Sequence, residues 1–159
     1  MNIRKLVRED FETVRQIIIA TDVFNKDEVD IAVELLEIYL SNPHQQDYEI
    51  FVSADDAKQV TGYICIGPTP ATVSTYDMYW IAVNPSVQAH GVGSELLRYT
   101  EEFLKQKGAT LLIAETSSTA KYEKTRSFYV RKGFEQLAHI KAYYKPDDDL
   151  IIYGKYLSQ

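Results

Sequence analysis

A strand that must stop, a polar loop and a glycine-opened helix follow one another in the run Val83-Asn84-Pro85-Ser86-Val87-Gln88-Ala89-His90-Gly91-Val92-Gly93-Ser94. Upstream, Thr72 to Val83 carries Val73, Thr75, Tyr76, Tyr79, Trp80 and Ile81, a β-branched and aromatic stretch that suits a central strand. Asn84-Pro85 ends it, because proline lacks the N–H that a strand ladder needs. Downstream, Val92, Leu96, Leu97, Phe103 and Leu104 fall on one helical face, and Gly108 closes the helix. Glycines let backbone turn tightly and approach a ligand, and the N–H groups of a helix's first turn form an anion site. A pyrophosphate fits there. Two commoner nucleotide motifs do not: there is no Gly-Lys-Ser/Thr, and Gly93 is followed by Ser94-Glu95-Leu96, so the third glycine of GxGxxG is missing.

The remaining chain alternates between the two periodicities. Asn2 to Val7 reads as a strand, and Phe11, Val14 and Ile18 begin a helix with Glu9 and Asp10 in its first turn. Lys26 to Leu40 is a second amphipathic helix, with Val29, Val33, Leu36 and Leu40 in phase and a stop at Ser41-Asn42-Pro43. Tyr48 to Ser53 and Val60 to Ile66 form a hairpin around Asp55-Asp56. Thr110 to Ala114 is an unbroken apolar run, as in a strand buried on both faces. Lys121 to Lys132 is a helix ended by Gly133, and Phe134 to Tyr144 and Leu150 to Leu157 are the last strands. The order β-α-α-β-β-β-α-β-α-β-β predicts an α/β (α+β) fold, a mixed sheet with helices on both faces. A length of 159 residues fits one domain, 1–159.

Charge and cysteine content narrow the partners. Seventeen Lys and Arg against 23 Asp and Glu leave a net charge of −6, the wrong sign for a nucleic-acid binder. The single cysteine, Cys65, lies in the apolar run Tyr63-Ile64-Cys65-Ile66 and reads as a small buried hydrophobe suited to a reducing cytosol. No apolar run approaches the length of a membrane span, and the N-terminus lacks a signal-type apolar stretch, so a soluble cytoplasmic protein is expected. His44 and His139 have no partners at ligand spacing, so no metal site is expected.

The stretch Gln88-Ala89-His90-Gly91-Val92-Gly93 resembles the Gln/Arg-x-x-Gly-x-Gly/Ala signature of the GCN5-related N-acetyltransferase (GNAT) superfamily. The Val83-Asn84-Pro85 step before it and Tyr129-Val130-Arg131-Lys132-Gly133-Phe134 after it match two further family elements in the right order. The resemblance spans essentially the whole chain. It implies the GNAT fold, a mostly antiparallel central sheet whose fourth and fifth strands splay apart. It also implies transfer of the acetyl group of acetyl-CoA to a primary amine by direct attack in a ternary complex. Pantetheine would pair with the fourth strand around Ile81, Ala82 and Val83, and the pyrophosphate would meet Gln88, Ala89, His90, Gly91, Val92, Gly93 and Ser94. Many relatives carry an asparagine seven residues before the catalytic tyrosine to contact CoA; here Tyr122 stands at that cofactor position.

Tyr129 occupies the family's general-acid position, and a phenol can protonate a departing thiolate. An alkyl ammonium must lose a proton before it attacks, and Asp77 and Glu115 are the candidate bases or amine anchors. The acceptor is expected to be a cationic small molecule or amino terminus, with no nucleic acid or membrane partner; a homodimer is compatible with the resemblance. The alternative on the same fold is a catalytically silent acyl-CoA-binding or regulatory module. Asp147-Asp148-Asp149 reads as a solvated turn or, more sharply, as an attractor of a cationic acceptor. The helix Lys121 to Lys132 sets five cations against Glu123 and is expected to attract the CoA phosphates.

Overall fold

The computed structural model describes residues 1–88 and 90–157. Its strands are β1 (Asn2–Lys5), β2 (Glu49–Ala54), β3 (Val60–Pro68), β4 (Thr75–Val83), β5 (Leu111–Ser117), β6 (Glu135–Lys145) and β7 (Asp148–Tyr156); its α-helices are α1 (Phe11–Ala20), α2 (Lys26–Ser41), α3 (Val92–Gln106) and α4 (Glu123–Arg131). The strands are ordered β1-β2-β3-β4-β5-β7-β6. β4 and β5 run parallel, while β1 with β2, β2 with β3, β5 with β7 and β6 with β7 run antiparallel. This is the mixed sheet expected from the element order, and it is mostly antiparallel as the family resemblance implied. The chain forms two compact units, one of Met1–Gly67 and Trp80–Glu102 and the other of Pro68–Tyr79 and Phe103 onward.

In the first unit the strand period of two sorts side chains onto opposite faces. Ile50 and Val52 of β2, with Tyr63 and Cys65 of β3, join Val14, Ile17 and Ile18 of α1 and Ala32 and Leu36 of α2 in one buried cluster. The thiol of Cys65 sits 1% exposed in that cluster, where burial pushes its pKa far up, so it is the inert hydrophobe expected. On the other face, Phe51 meets Tyr99 of α3 edge-on at 5.1 Å. Helices therefore cover both faces of this half of the sheet. α2 starts where it does because Asn25 and Glu28 form a capping box: Asn25 Oδ1 accepts from the Glu28 N–H at 2.9 Å, and Glu28 Oε2 accepts from the Asn25 N–H at 2.7 Å. Ahead of α1, Asp10 accepts from the Val7 N–H and from both terminal nitrogens of Arg4 at 2.6 and 2.9 Å. Burial raises the cost of that carboxylate, yet Arg4 and Val7 hold it below its ordinary range.

Gly62 seats α3. A Cβ there would stand 2.9 Å from the Ala82 carbonyl oxygen and 3.0 Å from Val92 Cγ1, so the first turn of α3 rests directly on β3. Replacing Gly62 with Ala should therefore cost about 1–3 kcal/mol and lower the melting temperature by roughly 3–10 °C. An unchanged melting temperature would show that the Ala82 carbonyl and the Val92 side chain do not press so closely on Gly62.

In the second unit, β5 pairs with β7 over seven residues and with β4 over only three, Thr75–Leu111, Tyr76–Leu112 and Asp77–Ile113. β5 runs four residues past that last rung, as expected of strands that splay. α4 packs on one face, where Tyr129 contacts Tyr153 of β7 at 5.7 Å and Phe134 at 5.4 Å. The helix ends in a Schellman motif. The Phe134 N–H donates to the Tyr129 carbonyl, the Gly133 N–H donates to that of Val130, and Gly133 takes φ +82°, which a glycine reaches without a Cβ clash. The Tyr-x-x-x-Gly-Phe motif thus has a local physical meaning: the cap folds Phe134 back onto the tyrosine ring.

Candidate functional site

The first unit holds the phosphate-loop candidates. β4 hands over to the loop at Asn84, whose N–H donates to the Thr61 carbonyl at 2.8 Å and whose Oδ1 accepts from the Ser86 N–H at 3.0 Å. Pro85 to Val87 form a 3-10 turn, and the N–H groups of Val87 and Gln88 are spent on the Asn84 and Pro85 carbonyls. Gly91 then caps α3: it sits at φ +82° and its carbonyl accepts from the Glu95 N–H at 3.0 Å. The N–H groups of Val92, Gly93 and Ser94 have no acceptor within the helix, and the helix dipole adds positive potential there. Val92 anchors the turn by burial, Gly93 and Ser94 are half-buried, and Gln88 and His90 are exposed. On β4, Ala82 is buried and Ile81 and Val83 are half-buried. Ala89 lies outside the described residues. A loop with free amides at a helix start and no acidic side chain between Asn84 and Ser94 fits a pyrophosphate.

The second unit holds the candidates for proton transfer. Residues paired across neighbouring strands share a face, and so do residues two apart on one strand. Asp77 pairs with Ile113, so Asp77 and Glu115 project from the same face, with roughly 8 Å between their Cα atoms. Glu115 is exposed on this face, yet neighbouring protein atoms displace part of its water. That desolvation, together with the Asp77 carboxylate, pushes its carboxyl above the ordinary range, which suits it to act as a base nearer neutrality than an isolated surface glutamate. Tyr129 belongs to the opposite face, through its contact with Tyr153. The side chain is 5% exposed, and burial pushes the phenol well up, so it stays protonated at neutral pH. The structure brings Asp77 and Glu115 together and sets Tyr129 across the sheet from them.

Several side chains that looked like surface charges prove to be fasteners. Arg126 donates to the carbonyl oxygens of Ser117 and Thr119 at 2.6 and 2.8 Å, tying the end of β5 to α4 one turn before Tyr129. Asp148 is buried and accepts from Ser117 Oγ. Asp149 accepts from the Ala142 N–H at 2.8 Å and pairs with His139 at 2.6 Å. Of the three aspartates read as a solvated turn, only Asp147 is exposed, so the run mainly fixes the β6–β7 connection. Arg126 and the buried Asp148 were missed as holders of the site; the polar run Ser117-Ser118-Thr119 was the available signal. Tyr122 ends the 3-10 turn before α4 half-buried, its N–H donating to the Thr119 carbonyl. Among the described residues no group of three or more His, Cys, Asp or Glu is placed to hold a metal, and no helix is long and apolar enough to cross a membrane.

A family model for the acetyltransferase (GNAT) domain matches residues 46–136, a span that contains the phosphate-loop candidates, Asp77, Glu115, Tyr122 and Tyr129 but not Asp147 to Asp149. The chain belongs to the GNAT acetyltransferases. It is therefore an acyltransferase of the N-acetyltransferase type, and the family implies acetyl-CoA as the donor. This GNAT chain is 40% identical to a crystal structure assigned to the same family from Desulfovibrio desulfuricans, which covers 99% of each chain with a TM-score of 0.91. Two more distant structures share the fold. An aminoglycoside 6'-N-acetyltransferase complexed with coenzyme A is 16% identical over 100% of this chain and 98% of its own, with a TM-score of 0.76. The ribosomal-protein-S18-alanine N-acetyltransferase of Escherichia coli is 19% identical over 99% and 94%, with a TM-score of 0.77. A comparison with curated proteins found no match.

Proposed function

We propose that this GNAT chain transfers the acetyl group of acetyl-CoA to a primary amine, on a small molecule or an amino terminus, by direct attack in a ternary complex. The observation that carries the reading is the division of labour across the second unit's sheet: two carboxylates on one face and a buried phenol on the other. A silent acyl-CoA-binding module on this fold has no need of either. Asp77 and Glu115 hold the ammonium and take its proton, and the freed amine lone pair forms the amide bond. The carbon–sulfur bond breaks, and Tyr129 supplies a proton to the departing thiolate. The second proton shed by the nitrogen as it becomes an amide restores the phenol, so the net proton released is the one first taken by the carboxylates. Val92, Gly93 and Ser94 donate their first-turn N–H groups to the pyrophosphate, with Gln88, Ala89, His90 and Gly91 completing the loop. Ile81 to Val83 offer backbone to the pantetheine, and Tyr122 takes the family's asparagine position beside CoA. The protein is expected to work in the cytoplasm.

The pH dependence of kcat/KM tests the assignment of the base. Asp77 raises the Glu115 carboxyl, so removing that charge in Asp77→Asn lets the Glu115 pKa fall. The base is then deprotonated over a wider range, and the acidic limb of the profile should move to lower pH. An acidic limb that stays put, or moves up, would show that Glu115 is not the group titrating there.

A further inference from the structure

The face that carries Asp77 and Glu115 also holds Thr75, paired with Leu111, and the exposed Glu135, paired with Gly154; between these polar positions it is apolar, and it is open. Leu111 pairs with Tyr156 and Glu115 with Ile152, so all four share this face. The position opposite Ile113 is Gly154, which supplies no side chain. Leu137 fills the gap from a bulge in β6, its Cδ1 occupying the space that a Gly154 Cβ would take. Leu137 is 41% and Tyr156 68% exposed, and α4 packs on the opposite side through Tyr153. Asp77 and Glu115, with Glu135 as a third acid on the same face, therefore border a patch of aliphatic and aromatic side chains.

Resting on the acetyl-transfer reading, we infer that the acceptor is an amine whose ammonium is carried on an apolar body. The charge goes to Asp77 and Glu115, and the hydrocarbon lies over Ile113, Ile152 and Leu137. Charge complementarity decides the occupant. A second copy of this chain would bring the same acids toward its own, whereas an alkylammonium satisfies both the acids and the apolar surface. A polyhydroxylated amine would cover the same patch without an apolar gain and with hydroxyls stripped of water.

A homologous series from methylamine to hexylamine isolates the effect, because charge and basicity hardly change along it. With purified full-length protein and acetyl-CoA, kcat/KM should rise by about two- to four-fold per added methylene, as expected of partly to fully buried CH₂ groups. In Leu137→Ser that rise should flatten, with Leu137→Met restoring it; the melting temperature and acetyl-CoA affinity of each variant report that it is folded. If amines are acetylated with no dependence on chain length, or if ethanolamine and amino sugars match hexylamine, the inference is overturned and the acetyl-transfer reading stands. A stable dimer that protects Leu137 and Tyr156 from labelling would also overturn it, giving the face to a second copy. Acetyl-CoA binding without acetylation of any amine overturns both.

Discussion

Replacing Tyr129 with Phe should lower kcat by about 10²-fold or more while leaving acetyl-CoA affinity nearly unchanged, since one proton donor is lost and almost no contact area. The ring is fixed by Phe128, Phe134 and Tyr153, and phenylalanine keeps all three contacts. The fold should therefore tolerate the change. The hydroxyl's own pKa is raised by burial, so at neutral pH it enters the reaction protonated, as an acid for the leaving thiolate. Stopped-flow measurement of CoA release for the two proteins, with acetyl-CoA affinity by calorimetry, separates the outcomes. Equal turnover would remove Tyr129 from the chemistry and leave it as the centre of an aromatic cluster.

The second large effect is expected at Gly91. A Cβ there meets nothing within 4 Å, so a side chain has room, but the backbone stands at φ +82°, a region that β-branched residues rarely enter. Gly91→Val should cost about 1–2 kcal/mol in local strain, relieved by shifting the first turn of α3 and its N–H groups. Acetyl-CoA affinity should fall by about ten-fold or more, with a smaller change in kcat at saturation. Gly91→Asn, which accepts positive φ more readily, should retain most of the affinity. If Val and Asn bind acetyl-CoA equally well, backbone conformation at Gly91 does not set the anion site.

The strand-to-helix crossover and both glycine motifs were legible because each rests on local chemistry: Pro85 stops a ladder, Gly91 caps a helix at positive φ, and Gly133 makes a Schellman cap. Element limits shifted where side chains compete with the ladder. β4 begins at Thr75 rather than Thr72 because the Thr72 hydroxyl and N–H both turn back to the Thr69 carbonyl, at 2.8 and 3.3 Å. α4 likewise starts at Glu123, after a 3-10 turn over Ala120–Tyr122 that Arg126 braces from within the helix. What periodicity could not give was register. Only pairing of Asp77 with Ile113 puts the two carboxylates on one face, and only the β6 bulge lays Leu137 over Gly154. The buried Asp148 was hidden for the same reason, since its partner Ser117 is far away in sequence.

The central claim is catalysis of acetyl transfer to an amine, and the most direct measurement follows both products at once. Purified protein is mixed with acetyl-CoA and an excess of hexylamine, free thiol is read continuously, and the amine is analysed by mass spectrometry at intervals. The account predicts thiol release that depends on both protein and amine, matched mole for mole by N-acetylated amine and abolished together with it in a Tyr129→Phe, Glu115→Gln double variant. Saturable acetyl-CoA binding with no amine-dependent thiol release, across this and a wider amine panel, would contradict it and leave an acyl-CoA-binding module on the same fold.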